Sequence, residues 1–268
     1  MKDPEPLLKA VDKRGKTLIA MHNNPDPDSF GAALGLQHLL REAKGIESVL
    51  AYGGIVGRAE NRKFLELLEI KASRINRLDL RNYRQLALVD AQPAAGNHCL
   101  PDRRKVMVCL DHHPPLDNKD RVRFLDVDTT YGAASILIAD YLLTAGIDIP
   151  QRLATALCYG IKTDTLELTR GVSPQDITIY MKLYQKADKP TLGDIISASE
   201  PIEYYAVLSD ALKKALRTRD LVIVVLDEVP YADVVAEVAD FFLRLEEIKC
   251  TACIGYYRGE TVASVRSA

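Results

Sequence analysis

Apolar positions in the first two thirds of the chain follow two alternating patterns. Short runs of aliphatic and β-branched residues, TLIAMH, SVLAY, QLALVD and KVMVCLD, read as strands. Between and after them apolar residues recur every three or four positions, which predicts helices over Ser29 to Glu42, Glu60 to Leu68, Gly132 to Thr144, Gln151 to Ile161 and Pro174 to Gln185. Strands alternating with helices predict βαβ units and an α/β fold, a doubly wound and mostly parallel sheet. Sites in such folds lie just beyond the carboxyl ends of the strands.

The pattern breaks at QKADKPTLGD, a polar stretch with proline and glycine. We therefore expect a first domain over 1–187, a linker over 188–199 and a second, smaller α/β domain over 200–268. The second domain reads as a helix from about Glu203 to Leu216, the strand LVIVVLDEV, a helix over Tyr231 to Glu246, and the runs CTACIGYY and TVASVRS joined by Arg258-Gly259-Glu260 as a hairpin.

Composition narrows the function classes. Hydrophobic residues make up 47% of the 268, enough to build cores, and no apolar run approaches the roughly 18 residues of a membrane helix. The start, MKDPEPLLKAVDKRGK, has no secretory pattern, and five scattered cysteines fit a reducing cytoplasm. Cys250 and Cys253 form a C-x-x-C pair, but no second pair completes a zinc site and strand positions three apart face opposite ways. With 35 basic and 37 acidic side chains there is no cationic field for long nucleic acid, so short or small substrates fit better.

Three strand ends carry the same chemistry. TLIAMH runs into HNNPDPDSFGAALGL, with His22, Asp26 and Asp28; QLALVD ends at Asp90; KVMVCLD ends at Asp111, followed by His112 and His113. Parallel neighbours would gather these groups in one crevice, and clustered carboxylates repel unless divalent cations neutralise them. Oxygen-rich sites with some imidazole suit Mn²⁺, with Mg²⁺ or Co²⁺ as alternatives, and this cluster is rich enough for two ions. Taken singly, Asp28 before a helix could cap it, with Ser29 as a rival cap, and Asp90 is an ordinary turn acceptor. His38 and His98, without carboxylate company, read as structural. Gly53-Gly54-Ile55-Val56-Gly57 follows a strand but lacks dinucleotide-binding spacing and reads as a turn.

The four segments HNNPDPDSFGAALGL, VDAQP, DHHP and GIKTDTLELTRG resemble, in order and spacing, the motifs of the DHH phosphoesterases. The segment after the linker resembles the DHHA1 domain of the branch containing RecJ-like exonucleases, oligoribonucleases, phosphoadenosine-phosphate phosphatases and cyclic-dinucleotide phosphodiesterases. The resemblance implies that His22, Asp26 and Asp90 hold one metal ion and Asp28, Asp90, His112 and Asp164 a second, with Asp90 bridging. It further implies that Asp111 orients a ligand histidine, that His113 reaches the scissile phosphate, and that Arg170, Arg266 and Ser267 contact substrate. A glycine-rich GGGH loop normally follows the strand that TVASVRS resembles. This sequence ends before it, so the second domain reads as incomplete at its C-terminus.

The implied function is a cytoplasmic Mn²⁺-dependent phosphoesterase or exonuclease acting on short single-stranded oligonucleotides, 3′,5′-bisphosphate nucleotides or cyclic dinucleotides by a two-metal hydroxide mechanism. Long duplex nucleic acid and membranes are not expected partners, and a homodimer is allowed. The rival reading is a nucleotide-sensing or assembly module that keeps the metal site without turnover.

Overall fold

The computed structural model describes residues 1–13, 15–101, 104–117 and 120–267, and the chain divides into two compact units. The first comprises Met1–Ile55 and Phe64–Ile196, the second Val56–Lys63 and Ser197–Ala268.

In the first unit, a short α1 (Glu5–Ala10) leads into β1 (Thr17–Ala20), α2 (Pro27–Lys44), β2 (Ser48–Tyr52), α3 (Ala59–Leu67, which begins in the second unit's segment), β3 (Ala72–Arg74), β4 (Gln85–Val89), β5 (Val106–Asp111) and β6 (Val122–Val127). Four helices follow: α4 (Ala134–Thr144), α5 (Gln151–Asp164), α6 (Pro174–Lys186) and α7 (Lys189–Ile196). Among the described residues the sheet has six parallel strands in the order β3-β2-β1-β4-β5-β6. The order reverses direction between β1 and β4, the switch point at which open α/β sheets form their crevice.

Every residue of β1 and β4 is buried, as expected of central parallel strands covered on both faces. On one face Leu18, Ala20, Leu86, Leu88 and Cys109 form a core with Tyr83 and Leu100, against which Ile75, Leu78 and Leu80 pack. Helices α2 and α4 contribute further fully buried side chains, among them Phe30, Leu36, Ile136 and Leu137. Helix α2 packs on α5 so closely that a methyl group on Gly160 would stand 2.9 Å from the Cα of Asp28.

Two sequence expectations shift. Helix α2 starts at Pro27 rather than Ser29, because Asp26 is extended (φ −96°, ψ 177°) and caps it by accepting the Ser29 N–H. Residues 189–196, expected within a linker, are helix α7, with Leu192 and Ile195 buried; Pro190 stands in its first turn, where proline is compatible with a helix.

The second unit contains α8 (Ile202–Lys214), β7 (Leu216–Thr218), β8 (Leu221–Glu228), α9 (Val234–Leu243), β9 (Cys250–Tyr257) and β10 (Glu260–Ser267). Its mixed sheet has the order β10-β9-β8-β7. The β9–β10 connection is a tight hairpin through Arg258 (φ +51°) and Gly259 (φ +84°). Val222, Val224, Leu226 and Cys253 face Val234, Val235, Val238 and Phe242 in its core. Gly57, from the turn-like GGIVG segment, abuts Asp233: a methyl group there would fall 2.1 Å from the Asp233 carboxylate.

Candidate metal centre

Local chain geometry aims each group of the crevice. After β1, the His22 backbone bridges to His98, and the His22 Nδ1–H donates to the Asn23 carbonyl at 2.8 Å. That leaves Nε2 facing Asp26 (3.7 Å) and Asp90 (3.4 Å). Asp90 ends β4 with φ +53°, a left-handed conformation that costs a non-glycine residue about 1–3 kcal/mol. Its N–H is held by the Leu110 carbonyl at 2.9 Å.

Asp28 is 1% exposed and does not cap its own helix. Its carboxylate instead accepts the N–H groups of Ala134 (2.7 Å) and Ser135 (2.9 Å), capping the N-terminus of α4 from across the fold. Asp164, the last residue of α5, enters from below a tight turn in which Leu166, Glu167 and Leu168 all have positive φ (+48°, +60° and +64°).

Three groups of side chains result, each with ligand atoms within 4.8 Å of one another: His22, Asp26 and Asp90; Asp28, His112 and Asp164; and Asp90, His112 and His113. Asp90 turns Oδ2 toward His22 and Oδ1 toward His112 Nε2, 3.5 Å away. His112 Nε2 also lies 3.5 Å from Asp164 and 4.0 Å from Asp28. Oδ2 of Asp90 accepts the Ser29 hydroxyl at 2.6 Å, but Oδ1 and His112 Nε2 are buried without a hydrogen-bond partner. Two such orphaned atoms in a buried acidic cluster fit a cation site: the carboxylate oxygen offers a lone pair, and the imidazole nitrogen offers one when a cation displaces its proton.

The electrostatics agree. Burial opposes the imidazolium of His22, but hydrogen bonding and the charges of Asp26 and Asp90 outweigh it and raise its pKa to about 11. His112 behaves likewise, reaching about 10 under the influence of Asp90, Asp28 and Asp164. Burial, then the charge of Asp90, pushes Asp28 up to about 8. Asp90 itself, despite burial, is held well below the usual carboxylate range by the two imidazoles. These groups bind positive charge avidly.

The remaining expected site residues fall into three places. Asp111 accepts the His113 Nδ1–H at 2.9 Å and the backbone N–H of His112, so the ring it orients is that of His113 rather than the one among the carboxylates. Arg170 stands beside the cluster, donating to the Asp164 carbonyl at 2.6 Å with its guanidinium 4.0 Å from that carboxylate. Arg266 and Ser267 lie at the end of β10 in the second unit; the Arg266 Nε–H donates to Asp240 at 2.7 Å, and Ser267 is exposed.

Two contributors escaped the sequence reading. Gln92 is buried and donates to Asp111 Oδ2 (2.7 Å) and the Pro114 carbonyl (3.0 Å), while its own carbonyl accepts the Leu116 N–H (2.8 Å). Ser29 lies between Asp26 and Asp90, its hydroxyl donating to Asp90 Oδ2 at 2.6 Å with Asp26 Oδ1 3.1 Å away. The glutamine was visible in VDAQP, but nothing in one sequence marks it apart from a turn residue.

Comparison with known proteins places these residues in context. The model of the DHH family, N-terminal domain, matches residues 16–161. An uncharacterised protein of Methanocaldococcus jannaschii is 31% identical over 96% of this chain and 53% of its own. The bifunctional oligoribonuclease and PAP phosphatase NrnA of Mycoplasma pneumoniae is 28% identical over 59% of this chain and 48% of its own. The chain thus spans about half the length of these relatives. An exopolyphosphatase-related protein from Bacteroides fragilis shares the fold, with a TM-score of 0.76 at 17% identity, over 98% of this chain and 81% of that one. No helix among the described residues is long and apolar enough to cross a membrane.

Proposed function

The chain belongs to the DHH family, and we propose that its acidic and histidine cluster is a two-cation centre for hydrolysing phosphate esters of short oligonucleotides or small nucleotides. The observation that carries this reading is the pair of buried, unpartnered atoms, Asp90 Oδ1 and His112 Nε2, where the carboxylates of Asp28, Asp90 and Asp164 converge. His22, Asp26 and Asp90 would hold one cation, and Asp28, Asp90, His112 and Asp164 the other. The donor set favours Mn²⁺, with Mg²⁺ or Co²⁺ as alternatives. When bound, such ions supply Lewis-acid polarisation of a phosphoryl group and acidify a water toward neutrality.

The protein's own residues do the rest. Asp28, pinned by two α4 amides, keeps one side of the site rigid as substrate enters. Asp111 fixes His113 through Nδ1 and raises its pKa, and so directs outward, from a ring whose side chain is 56% exposed, an Nε2 that donates to a substrate oxygen when the ring is protonated. Arg170, beside Asp164, provides a cation for a second phosphate oxygen. Arg266 and Ser267 would contact substrate, as the resemblance of their strand implies.

A substrate of this class is supported by the near-neutral charge of the chain, which gives long nucleic acid little to follow, and by the named activities of the Mycoplasma relative. The test is a product assay on a dinucleotide, pAp and a cyclic dinucleotide, with Mn²⁺ and with EDTA. Mn²⁺-dependent turnover of at least one supports the reading. Saturable binding without hydrolysis of any would replace it with a nucleotide-sensing role.

A further inference from the structure

The C-terminal half of α2 and the first turn of α5 form a half-open pocket of about 290 Å³, lined in part by Leu34, Gln37, His38, Arg41, Arg152 and Leu153. Two arginines line it, and none of the described lining residues is acidic. Both guanidinium groups are held in place. His38, nine-tenths buried, donates from Nε2 to the Asp148 carbonyl at 2.7 Å, so its Nδ1 is an acceptor and takes an Nη2–H of Arg41 at 3.1 Å. Arg41 Nε donates to Glu42 at 2.9 Å. Arg152 donates to the Glu69 carboxylate (2.8 Å) and carbonyl (2.5 Å). Each guanidinium keeps further N–H donors without a partner among the described residues.

Arg41 and Arg152 are 61% and 53% exposed and Glu42 and Glu69 45% and 76%, so solvent screens the pairing and leaves the unpaired N–H groups of the two arginines accessible to a ligand. Helix α5 begins at Gln151 after Pro150, with no side-chain cap, and its positive end adds to the field at the pocket. Leu34 and Leu153 supply apolar wall. Pre-ordered arginines suit the fork geometry of a phosphate, and their ordering lowers the entropy lost on binding.

The geometry points to a second ligand site here, for a small organic phosphate: a phosphate monoester carried on an apolar body, as in a nucleoside monophosphate. The volume sits at the lower end of the range for small-molecule pockets, which limits the occupant to about that size. The site is separate from the metal centre. Helix α2 carries Asp28 near its start and Arg41 near its end, about 20 Å apart along the helix axis. Helix α5 likewise runs from Arg152 at the cavity to Asp164 at the centre.

The test is calorimetric titration of the chain with AMP in EDTA, with adenosine and inorganic phosphate as probes of each half of the ligand. The variants are R41Q/R152Q, L34W, which fills the cavity without altering charge, and D90A, which dismantles the metal centre. We expect saturable AMP binding in the wild type and in D90A, at least tenfold weaker binding in R41Q/R152Q and in L34W, weaker binding of phosphate, and none of adenosine. Folding is checked by circular dichroism, and if one cavity variant fails to fold the other decides. AMP binding that disappears in D90A but survives in the folded cavity variants overturns the assignment, as does the absence of saturable binding to the wild type at millimolar AMP. Because EDTA removes catalysis from the measurement, failure of the hydrolytic reading would leave this result unchanged.

Discussion

The Asp111 carboxylate holds the ring of His113, Oδ1 to Nδ1 at 2.9 Å, while the neighbouring ring of His112 turns toward Asp28, Asp90 and Asp164. Adjacent histidines on one strand end therefore have different surroundings. The two rings pack with centroids 4.3 Å apart and both approach Asp90 Oδ1, at 3.5 Å from His112 and 3.6 Å from His113, but Asp111 holds only the second.

That relationship predicts a separation of effects in Asp111→Asn. The amide preserves volume but weakens the hold on the imidazole, as loss of a positioned carboxylate does in other histidine-dependent sites, so turnover should fall by about 10²-fold or more. The carboxylates surrounding His112 are untouched, and Mn²⁺ affinity should change little. Steady-state kinetics alongside a manganese titration by electron paramagnetic resonance measures both; equal losses in the two would show that Asp111 serves the ions instead.

Asp90→Ala makes the opposite prediction. One carboxylate faces both His22 and His112, so its removal takes an oxygen from each proposed ion site and frees Ser29 from its acceptor. Bound manganese per chain should drop at both sites and hydrolysis should be abolished. Elemental analysis after dialysis against Mn²⁺ gives the count, and a variant with near-normal turnover would remove the two-cation reading.

Much of this candidate centre was legible because parallel strands open their carboxyl ends on the same side: TLIAMH and QLALVD end in His22 and Asp90, and KVMVCLD is followed by His112 and His113, all of which join the cluster. The details hidden from the sequence depend on contacts distant along the chain. Asp28 reads as a local cap, yet its partners are the amides of Ala134 and Ser135, brought close only by helix packing. Asp26 rather than Asp28 caps α2 because Pro27 is compatible with the first helical position, a shift within the usual uncertainty of helix ends. Around Lys189 and Pro190 the breaker residues that suggested a linker stand at the start of a helix, since proline marks both.

Thr165 is expected to matter beyond its size. Its buried hydroxyl donates to the Ile161 carbonyl (2.5 Å) and accepts the Leu168 N–H (3.1 Å), bracing the left-handed run that follows Asp164. Thr165→Val keeps the shape but orphans that amide, costing about 1–2 kcal/mol of stability. With the turn relaxed, Mn²⁺ should bind more weakly at the group containing Asp164. Thr165→Ser restores the hydroxyl and should restore both values; thermal melts and manganese titrations of the two variants would show whether it does.

In the second unit, Glu237 predicts a pH dependence of stability. One carboxylate oxygen accepts the Tyr231 hydroxyl at 2.9 Å, and the other is buried without a partner. Burial raises its pKa to about 7; the charges of Glu200 and Glu60 add to the rise, while the Tyr231 hydrogen bond and Arg58 oppose it. A carboxyl that binds its proton more tightly when folded stabilises the fold on the acid side, and this contribution is lost as pH rises from the ordinary glutamate value, near 4.5, through about 7. Glu237→Gln remains neutral at every pH and can donate where the carboxylate could not. The variant should therefore be more stable than the wild type above pH 7, by about 1–2 kcal/mol after allowance for partial exposure, with the difference shrinking toward pH 4.5. Urea unfolding of both proteins at pH 4.5, 6 and 8 measures the gap, and a gap that stays constant or widens toward acid pH would exclude Glu237 as its source.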